Sequence, residues 1–365
     1  MTNEQIKVNG RLYSLKEIKA QDPETAKWHE ADRPALDFVC RWTNGQTEFR
    51  INTSGSTGKP KTIAVYRDKM LHSARQTVKA LGLSQNQRAL VCLNTAYVAG
   101  MMMLVRGLEA KMRMEVVEPG ALPFENTDEA PDFVAMVPLQ LKALLEAGYR
   151  QMVEQAGCII LGGAPVDTVL AKEIKTLKGV KVYATYGMTE TVSHIALKRL
   201  NGSVPERAYS ALGDTEIATD DRDCLRLRSF LTDGEWLQSN DIVRLHGDKS
   251  FEWLGRVDNV INSGGVKLFV ETLEDRMAEL FANLGINRRF FLSGVSDEVL
   301  GQKCVLFYEG KAFSDAEIQR LKEAIEKNFG KYERPKAFLA VMSFEESPTG
   351  KVLRTPTKAK AYEVD

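Results

Sequence analysis

Residues 53–61, TSGSTGKPK, combine the residue types that bind phosphate groups. Glycines let backbone N–H groups converge on an anion, Ser and Thr hydroxyls add donors, and Lys59 and Lys61 supply positive charge. The segment is not a GxxxxGK[ST] loop, because Thr53 stands where that motif needs glycine and Pro60 where it needs Ser or Thr. It therefore predicts either a phosphate-binding loop of another kind or a solvated hairpin turn.

Two further segments bring oxygen ligands and glycines together. YGMTET (186–191) places the Thr189 hydroxyl beside the Glu190 carboxylate, a pair that suits Mg²⁺ held with a nucleotide phosphate. The alternative is a capped junction between a strand and a loop. In ILGGAPVD (160–167) the glycines either let a flat ring approach the backbone or form the turn before a helix with Pro165 in its first turn.

Three charged residues complete the candidate chemistry. The Asp241 carboxylate suits ribose hydroxyls, and the Arg256 guanidinium suits a phosphate or the same ribose. Lys351 lies in SPTGKVLR (347–354), on a turn flanked by Pro and Gly. For each of the three, a solvated surface side chain is the alternative.

The hydrophobic pattern indicates the elements that would position these residues. Between about residues 67 and 187 apolar strands alternate with amphipathic helices, which predicts a parallel sheet covered on both faces. Ligands of such sheets bind at the carboxyl ends of the strands, where the glycine-rich segments are expected. The predicted strands are 89–93, 114–118, 132–137, 158–163 and 180–187, and the predicted helices are 70–81, 97–110, 139–147 and 166–177.

Two other patterns follow along the chain. Short alternating strands at 194–200, 224–230, 241–247 and 250–255 predict an antiparallel region joined to the first part. From about residue 259 a small α+β unit is expected, with a helix over 314–329 that begins with a capping box of Ser314 and Glu317. The expected fold class is α/β, with a large N-terminal domain over 1–257 and a small C-terminal domain over 258–365.

Composition excludes several classes of protein. Lys plus Arg and Asp plus Glu each number 49, so no net charge draws the chain to nucleic acid or anionic lipid. The first residues lack the regions of a signal peptide, and the most apolar run, 96–105, is too short for a bilayer. A cytoplasmic protein without membrane insertion is therefore expected. The scattered cysteines are expected to be reduced and buried.

The order of the motifs resembles one family. TSGSTGKPK, GGAP, YGMTE, an aspartate, GRVDNVINSGG and PTGKVLR follow one another between about residues 52 and 355. This order is similar to that of the adenylate-forming acyl-CoA ligase superfamily, which also contains peptide-synthetase adenylation domains and luciferases. The resemblance implies ATP, Mg²⁺ and coenzyme A as cofactors, and a small carboxylic acid that is activated as an acyl-adenylate before transfer to a thiol.

The resemblance also implies roles for individual residues. Thr189 and Glu190 would bind the α-phosphate and Mg²⁺, and Lys351 would be the catalytic lysine that bridges the acid and the α-phosphate. Asp258 would be the hinge between the two domains. The remaining roles are the pyrophosphate end of ATP (Thr53, Ser54, Gly55, Ser56, Thr57, Gly58, Lys59 and Lys61), the adenine (Gly162, Gly163, Ala164, Tyr186 and Gly187), the ribose (Asp241 and Arg256) and the tunnel for the CoA thiol (Gly264 and Gly265).

Two features depart from the superfamily pattern. Its phosphate loop normally follows a long N-terminal subdomain, so part of the usual large domain is expected to be missing or reduced here. The oligomeric state therefore stays open, with a homo-oligomer as one option. Tyr97, in NTAYVAG, stands where the superfamily often has histidine, and is expected either to line the acyl pocket or to be a buried structural residue.

The substrate class follows from a narrower resemblance. GGAP, YGMTET and NSGGVKLFVETLE are most similar to the ligases that join o-succinylbenzoate to coenzyme A in menaquinone biosynthesis, in their compact bacterial form. Because that acid is a dicarboxylate, its pocket needs donors for the second carboxylate. Arg106 is one candidate, with a solvated helix-end arginine as the alternative, and Ser193 and His194 are others. Other aryl- or acyl-CoA ligases, a stand-alone enzyme that loads a carrier protein, and a non-catalytic AMP- or acyl-binding relative remain alternatives.

Overall fold

A computed structural model describes residues 2–52, 62–203, 206–346 and 352–361 of the chain. The strands are β1 (Gln5–Val8), β2 (Arg11–Ser14), β3 (Glu48–Asn52), β4 (Thr62–Tyr66), β5 (Arg88–Val91), β6 (Arg113–Val116), β7 (Phe133–Met136), β8 (Cys158–Leu161), β9 (Lys181–Gly187), β10 (His194–Arg199), β11 (Tyr209–Ala211), β12 (Glu216–Thr219), β13 (Cys224–Arg228), β14 (Leu237–Leu245), β15 (Ser250–Arg256), β16 (Ile261–Ser263), β17 (Val266–Leu268), β18 (Phe290–Asp297), β19 (Gly301–Glu309) and β20 (Ala337–Val341). The α-helices are α1 (Leu15–Lys19), α2 (Arg33–Thr43), α3 (Arg67–Leu81), α4 (Val98–Glu109), α5 (Pro138–Glu146), α6 (Arg150–Gln155), α7 (Thr168–Thr176), α8 (Val270–Asn283), α9 (Asp315–Asn328) and α10 (Arg354–Ala361).

The larger sheet joins thirteen strands of the described ranges, in the order β12-β13-β14-β15-β11-β10-β9-β8-β7-β5-β6-β1-β2. In the stretch β9-β8-β7-β5-β6-β1 of this order, each strand runs parallel to its neighbours. From β9 onward the neighbours are antiparallel. The predicted parallel sheet and the predicted antiparallel region are both confirmed, and they form one continuous sheet because β10 pairs with β9.

Both faces of the parallel strands are buried, because successive side chains enter two different hydrophobic cores. Ala89 and Val91 of β5 belong to the core that contains residues of α2, α3 and α4. Leu90, between them, belongs to the opposite core, with residues of α5, α6 and α7. Strands buried on both faces are continuous apolar runs, which explains why the sequence predicts these strands well.

Two helix boundaries agree with their sequence signals. Gly82 ends α3 in the left-handed conformation, with φ of 66°. Ser314 and Glu317 form the predicted capping box of α9. Both signals are local, so tertiary packing does not displace them.

The start of α7 differs from the prediction. The helix begins at Thr168 rather than at residue 166, because the Asp167 side chain caps it by accepting a hydrogen bond of 2.8 Å from the Leu170 backbone N–H. Pro165 therefore lies before the helix and not in its first turn.

A second, smaller sheet follows the short 3₁₀ turn Val257–Asn259. Its strands lie in the order β17-β16-β19-β18, and β20 runs parallel to β19. α8 and α9 pack on it through a core that includes Leu292, Leu306 and Leu321. This arrangement of helices and strands is the α+β unit expected from the sequence.

Three smaller observations bear on the sequence predictions. β3 and β4 form a separate antiparallel hairpin, and the residues between them are outside the described part of the chain. All five cysteines are buried and free, as predicted. Among the described helices, none has both the length and the apolar character that crossing a membrane requires.

Candidate active site

A cavity of about 350 Å³ lies at the carboxyl ends of the parallel strands. Its wall comes from the ends of β7, β8 and β9, from the residues that follow them, and from α4. Ligands of open α/β sheets bind in this position. The sequence candidates in the wall are Arg106, Gly162, Gly163, Gly187, Thr189, Ser193 and His194.

Two glycines of the wall leave no space for a side chain. A Cβ atom on Gly162 would lie 2.7 Å from Thr185 Oγ1, and one on Gly187 would lie 2.5 Å from His194 Cα. Gly163 has φ of 80°, which favours glycine. These positions therefore require glycine where the ends of two strands meet the cavity. Ala164 is exposed and lies outside the cavity wall.

Two aromatic side chains hold the Asp241 carboxylate. The Tyr186 hydroxyl donates to Oδ2 at 2.7 Å, and the Trp253 indole N–H donates to Oδ1 at 3.1 Å. Burial, with the neighbouring Asp241 charge, raises the pKa of Tyr186, so its hydroxyl stays a donor. A carboxylate has about four acceptor positions, so about two remain for donors of a ligand.

Trp253 is a site residue that the sequence reasoning missed. It lies on β15, and β15 pairs with β14, which carries Asp241. The sequence signal that could have found it is the alternation of side chains between the two faces of β15, which places Phe251 and Trp253 on the same face. Alternation alone does not show that this face meets Asp241, because the pairing shifts register next to Ile242.

Arg256 links the ribose candidate to the hinge candidate. Its Nη1 lies 3.9 Å from Asp241 Oδ1, and its Nη2 lies 2.9 Å from Asp258 Oδ2. The hydrogen bond with Asp258 raises the pKa of the Arg256 guanidinium. The two carboxylates therefore share one cation at the junction between the large sheet and the second sheet.

Thr189 and Glu190 are exposed in a 3₁₀ turn, Thr189–Thr191, directly after β9. Glu190 faces a second cavity of about 270 Å³, which also borders β4, the strand that follows residues 53–61. Thr189 lines both cavities and so lies between them.

The donor set at Glu190 fits a magnesium ion bound with a nucleotide. Mg²⁺ in such sites takes one or two carboxylates from the protein and further oxygens from phosphate and water. The Glu190 carboxylate forms no ion pair with the residues that the structure describes. Those residues also contain no cluster of three or more His, Cys, Asp or Glu that forms a metal cage by itself.

Val192 is strained beside this turn. It is buried, lines both cavities, and has φ of 63° and ψ of −50°. A β-branched residue with positive φ costs about 1–3 kcal/mol, and such strain concentrates at functional sites. The Val192 N–H donates to the Thr189 carbonyl at 3.0 Å, which holds the turn in this conformation.

Arg106 is a buried cation of the cavity wall, with 2 % of its surface exposed. Its Nη2 donates to Ser193 Oγ at 2.7 Å and faces His194 Nδ1 at 3.5 Å. No carboxylate of the described ranges pairs with it, and its buried Nε has no partner there. Burial lowers the pKa of Arg106 to about 9. The alternative of a solvated helix-end arginine is therefore wrong, and an anionic ligand would supply the missing counter-charge.

The other sequence candidates are not part of the described cavity. Tyr97 is 48 % exposed before α4, so the expectation of a buried structural residue is wrong, and the cavity wall contains Val98 and Ala99 instead. Gly264 and Gly265 form the exposed turn between β16 and β17. The candidates that lie outside the described residues are Thr53, Ser54, Gly55, Ser56, Thr57, Gly58, Lys59, Lys61 and Lys351.

The AMP-binding enzyme family matches residues 6–218, which is more than half of the chain and includes the cavity. The chain therefore belongs to the AMP-binding enzyme family.

Individual relatives agree with this membership. A solved acyl-CoA synthetase (AMP-forming)/AMP-acid ligase II-like protein from Dyadobacter fermentans is 43% identical, covers 93% of this chain and 97% of its own, and has a TM-score of 0.62. A 2-succinylbenzoate–CoA ligase from Geobacillus is 26% identical over 84% of this chain and 67% of the relative. An o-succinylbenzoate CoA synthetase from Bacillus subtilis, solved with its acyl-adenylate intermediate, shares the fold: it is 24% identical, with a TM-score of 0.69 over 85% of this chain and 68% of that chain.

Proposed function

We propose that the chain is an ATP-dependent carboxylic acid–CoA ligase that forms an acyl-adenylate, and that its acid is o-succinylbenzoate. The observation that carries the choice of acid is Arg106, a buried guanidinium in the cavity wall without a carboxylate partner among the described residues. A dicarboxylate offers one carboxylate for activation and a second one for Arg106. Two curated 2-succinylbenzoate–CoA ligases, which align with 84% and 83% of this chain, support the same acid.

The proposed reaction has two steps. In the first, a carboxylate oxygen of the acid attacks the α-phosphorus of ATP, pyrophosphate leaves, and a mixed anhydride with AMP forms. In the second, the sulfur of coenzyme A attacks the acyl carbon, the thiol proton is lost, and AMP leaves. The first step brings two anions together, so the site must neutralise charge as it develops at phosphorus.

The described residues have defined roles in binding ATP under this proposal. Asp241, oriented by Tyr186 and Trp253, accepts hydrogen bonds from the ribose hydroxyls. The backbone of Gly162 and Gly187, which line the cavity, borders the adenine. Gly162 and Gly187 lie at the ends of β8 and β9, and Asp241 lies within β14, so the nucleotide is oriented by the sheet itself.

Charge at the reacting phosphate is assigned to three groups. Thr189 would donate its hydroxyl to the α-phosphate, and Glu190 would hold Mg²⁺, which when bound would withdraw electron density from the phosphate oxygens. Lys351 bridges the acid carboxylate and the α-phosphate. The residues 53–61 bind the departing pyrophosphate.

We further propose that residues 258–365 form a small domain that rotates about Asp258 between the two steps. Rotation would replace Lys351 by the Gly264–Gly265 turn, which would line the path of the CoA thiol. Described contacts across the junction are compatible with such movement. The exposed ion pair Lys172–Glu279 (3.4 Å) contributes little to stability, and the hydrogen bond from Thr272 Oγ1 to the Leu254 carbonyl (3.1 Å) is a single bond at an exposed residue.

A panel of carboxylic acids tests the proposed function. Acid-dependent exchange of pyrophosphate into ATP reports the first step, and mass spectrometry of the CoA thioester reports the second. We expect o-succinylbenzoate to give exchange, AMP and a thioester. Turnover of fatty or simple aryl acids without o-succinylbenzoate would overturn the choice of acid. Exchange without a thioester would indicate an enzyme that loads a carrier protein, and no exchange with any acid would indicate a non-catalytic relative.

A further inference from the structure

A chain of buried hydrogen bonds leads from α3 to Arg106. Thr77, on α3, is fully buried, and its Oγ1 lies 3.0 Å from the Ser73 carbonyl and 2.9 Å from His194 Nε2. The other ring nitrogen, His194 Nδ1, lies 3.5 Å from Arg106 Nη2. Four residues from three elements therefore share one chain of contacts, which enters the wall of the 350 Å³ cavity at His194 and Arg106.

The two ends of this chain determine its direction. A guanidinium can only donate, so Nδ1 of His194 must accept from Arg106. A neutral imidazole that accepts at Nδ1 carries its proton on Nε2, which then donates to Thr77 Oγ1. A carbonyl can only accept, so the Thr77 hydroxyl donates to Ser73. Burial, together with the Arg106 charge, lowers the pKa of His194 well below its ordinary value, which keeps the ring neutral.

The opposite tautomer would leave an unfavourable contact. With the proton on Nδ1, an N–H of His194 would face an N–H of Arg106 across 3.5 Å inside a buried site. Arg106 would then keep only Ser193 Oγ as an acceptor among the described residues, and a buried donor without a partner costs about 1–3 kcal/mol. In that tautomer the Thr77 hydroxyl would have to donate to Nε2 and would give up its hydrogen bond to the Ser73 carbonyl, whereas in the Nε2–H tautomer it keeps both contacts.

We propose that Thr77 is a positioning residue for the acid subsite: it holds His194 in the Nε2–H tautomer, so that His194 and Ser193 together orient Arg106 toward the second carboxylate of the acid. The inference rests on the proposed function for the identity of that acid. It adds a residue on α3 that touches neither the acid nor ATP, yet contributes to the selection of dicarboxylates.

Kinetics of Thr77→Val separate this role from a general one. Valine keeps the shape of threonine and removes the hydroxyl. We expect KM for o-succinylbenzoate to rise about tenfold, because one hydrogen bond that orients His194 is lost. KM for ATP should not change. Turnover of 4-oxo-4-phenylbutanoate, which lacks the second carboxylate, should stay within about twofold. Thr77→Ser, which keeps the hydroxyl, should restore the KM.

A matched control is Thr127→Val, because Thr127 is also buried and donates to a backbone carbonyl, that of Phe124 at 3.1 Å, on the opposite face of the sheet. Thr127→Val should leave the kinetic constants for both acids unchanged. An equal loss with both acids in Thr77→Val would show a general structural role and overturn the inference, as would no change with either acid.

A spectroscopic readout decides the inference without any substrate. The ¹⁵N resonances of labelled histidine distinguish the two tautomers, and His194→Gln assigns the signal among the four histidines. We expect the Nε2–H tautomer in the parent protein and its loss in Thr77→Val. An Nδ1–H ring in the parent would overturn the positioning role whatever the acid. If the expected tautomer is found and o-succinylbenzoate is not turned over, the proposed acid fails and the positioning of Arg106 stands.

Discussion

The Arg354 guanidinium donates to the Glu274 carboxylate at 2.8 Å and to the Leu292 carbonyl at 3.2 Å. The Leu292 N–H donates to the same carboxylate at 2.7 Å, so α10 is fastened to both α8 and β18. A backbone bridge between Glu346 and Val352 joins the two sides of residues 347–351. The segments that flank the proposed catalytic lysine are therefore anchored in the second sheet.

Glu274→Gln should change how stability depends on pH. Burial raises the pKa of Glu274 to about 7 from an ordinary value near 4.5. Between these pH values the folded protein holds a proton that the unfolded chain releases, so the free energy of unfolding falls as pH rises through the window. Glutamine does not titrate, and the fall should be smaller in the variant.

Urea unfolding at several pH values between about 5 and 7.5 measures this effect. Burial raises the pKa of Asp275 to about 6, so Asp275 also lowers the stability as pH rises. His194, whose pKa is lowered, has the opposite effect on stability. Both are present in the two proteins, so the difference between the curves isolates Glu274. Parallel curves for the parent and the variant would contradict the assignment.

Arg106→Met should lower kcat/KM for o-succinylbenzoate by about 10- to 100-fold, because a charge-assisted hydrogen bond contributes about 1.5–3 kcal/mol. Methionine keeps an apolar side chain of similar length in the wall. Steady-state kinetics with o-succinylbenzoate and with 4-oxo-4-phenylbutanoate test the claim. The kcat/KM for the monocarboxylate should fall little. An equal fall of kcat/KM with both acids would show that Arg106 does not recognise the second carboxylate.

Trp253→Phe should weaken the binding of ATP and leave KM for the acid unchanged. The change removes the indole donor to Asp241 and keeps an aromatic ring on β15. A hydrogen bond to a charged group contributes about 1.5 kcal/mol or more, so KM for ATP should rise about tenfold. Trp236→Phe is the control, because Trp236 is 36 % exposed and stacks on Arg226 and Arg228. If both variants keep the parent KM for ATP, Trp253 does not orient Asp241.

Lys351→Ala should separate the two steps of the reaction. Loss of one donor to the transition state costs about 10²- to 10³-fold in rate, so pyrophosphate exchange should fall by that factor. Formation of the thioester from supplied acyl-adenylate and coenzyme A should continue at close to the parent rate. An equal fall in both half-reactions would argue against a role confined to adenylation.

Gly187→Ala should disrupt the cavity wall. The new Cβ would lie 2.5 Å from both the Ser193 carbonyl oxygen and His194 Cα, and neither backbone atom can move without shifting β10. Overpacking of this kind costs about 1–3 kcal/mol, which thermal unfolding would show as a lower Tm. Gly120→Ala is the control, because its nearest neighbour would be 4.0 Å from the added Cβ. A parent-like Tm and activity in Gly187→Ala would show that the wall can relax.

Local sequence features predicted a large part of the fold. The parallel strands are continuous apolar runs because both of their faces are buried, and the capping box at Ser314 depends on residues only three positions apart. The motif order predicted the family, which the match over residues 6–218 shows. The strand pattern predicted that the glycine-rich segments would follow strands at the carboxyl ends of the sheet, where the structure places Gly162, Gly187 and Thr189 around one cavity.

The sequence by itself determined the α/β class, the family and the residue types of the site, because these depend on periodicity and on motifs of a few residues. Only the tertiary structure decided that Arg106 is buried without a counter-charge, that Trp253 donates to Asp241, and that Thr77 reaches His194 across 117 positions of the chain. Such contacts depend on strand register and on the packing of α3 and α4 against the sheet. No local pattern encodes them, since side chains far apart in sequence meet only once the sheet has set the position of every element.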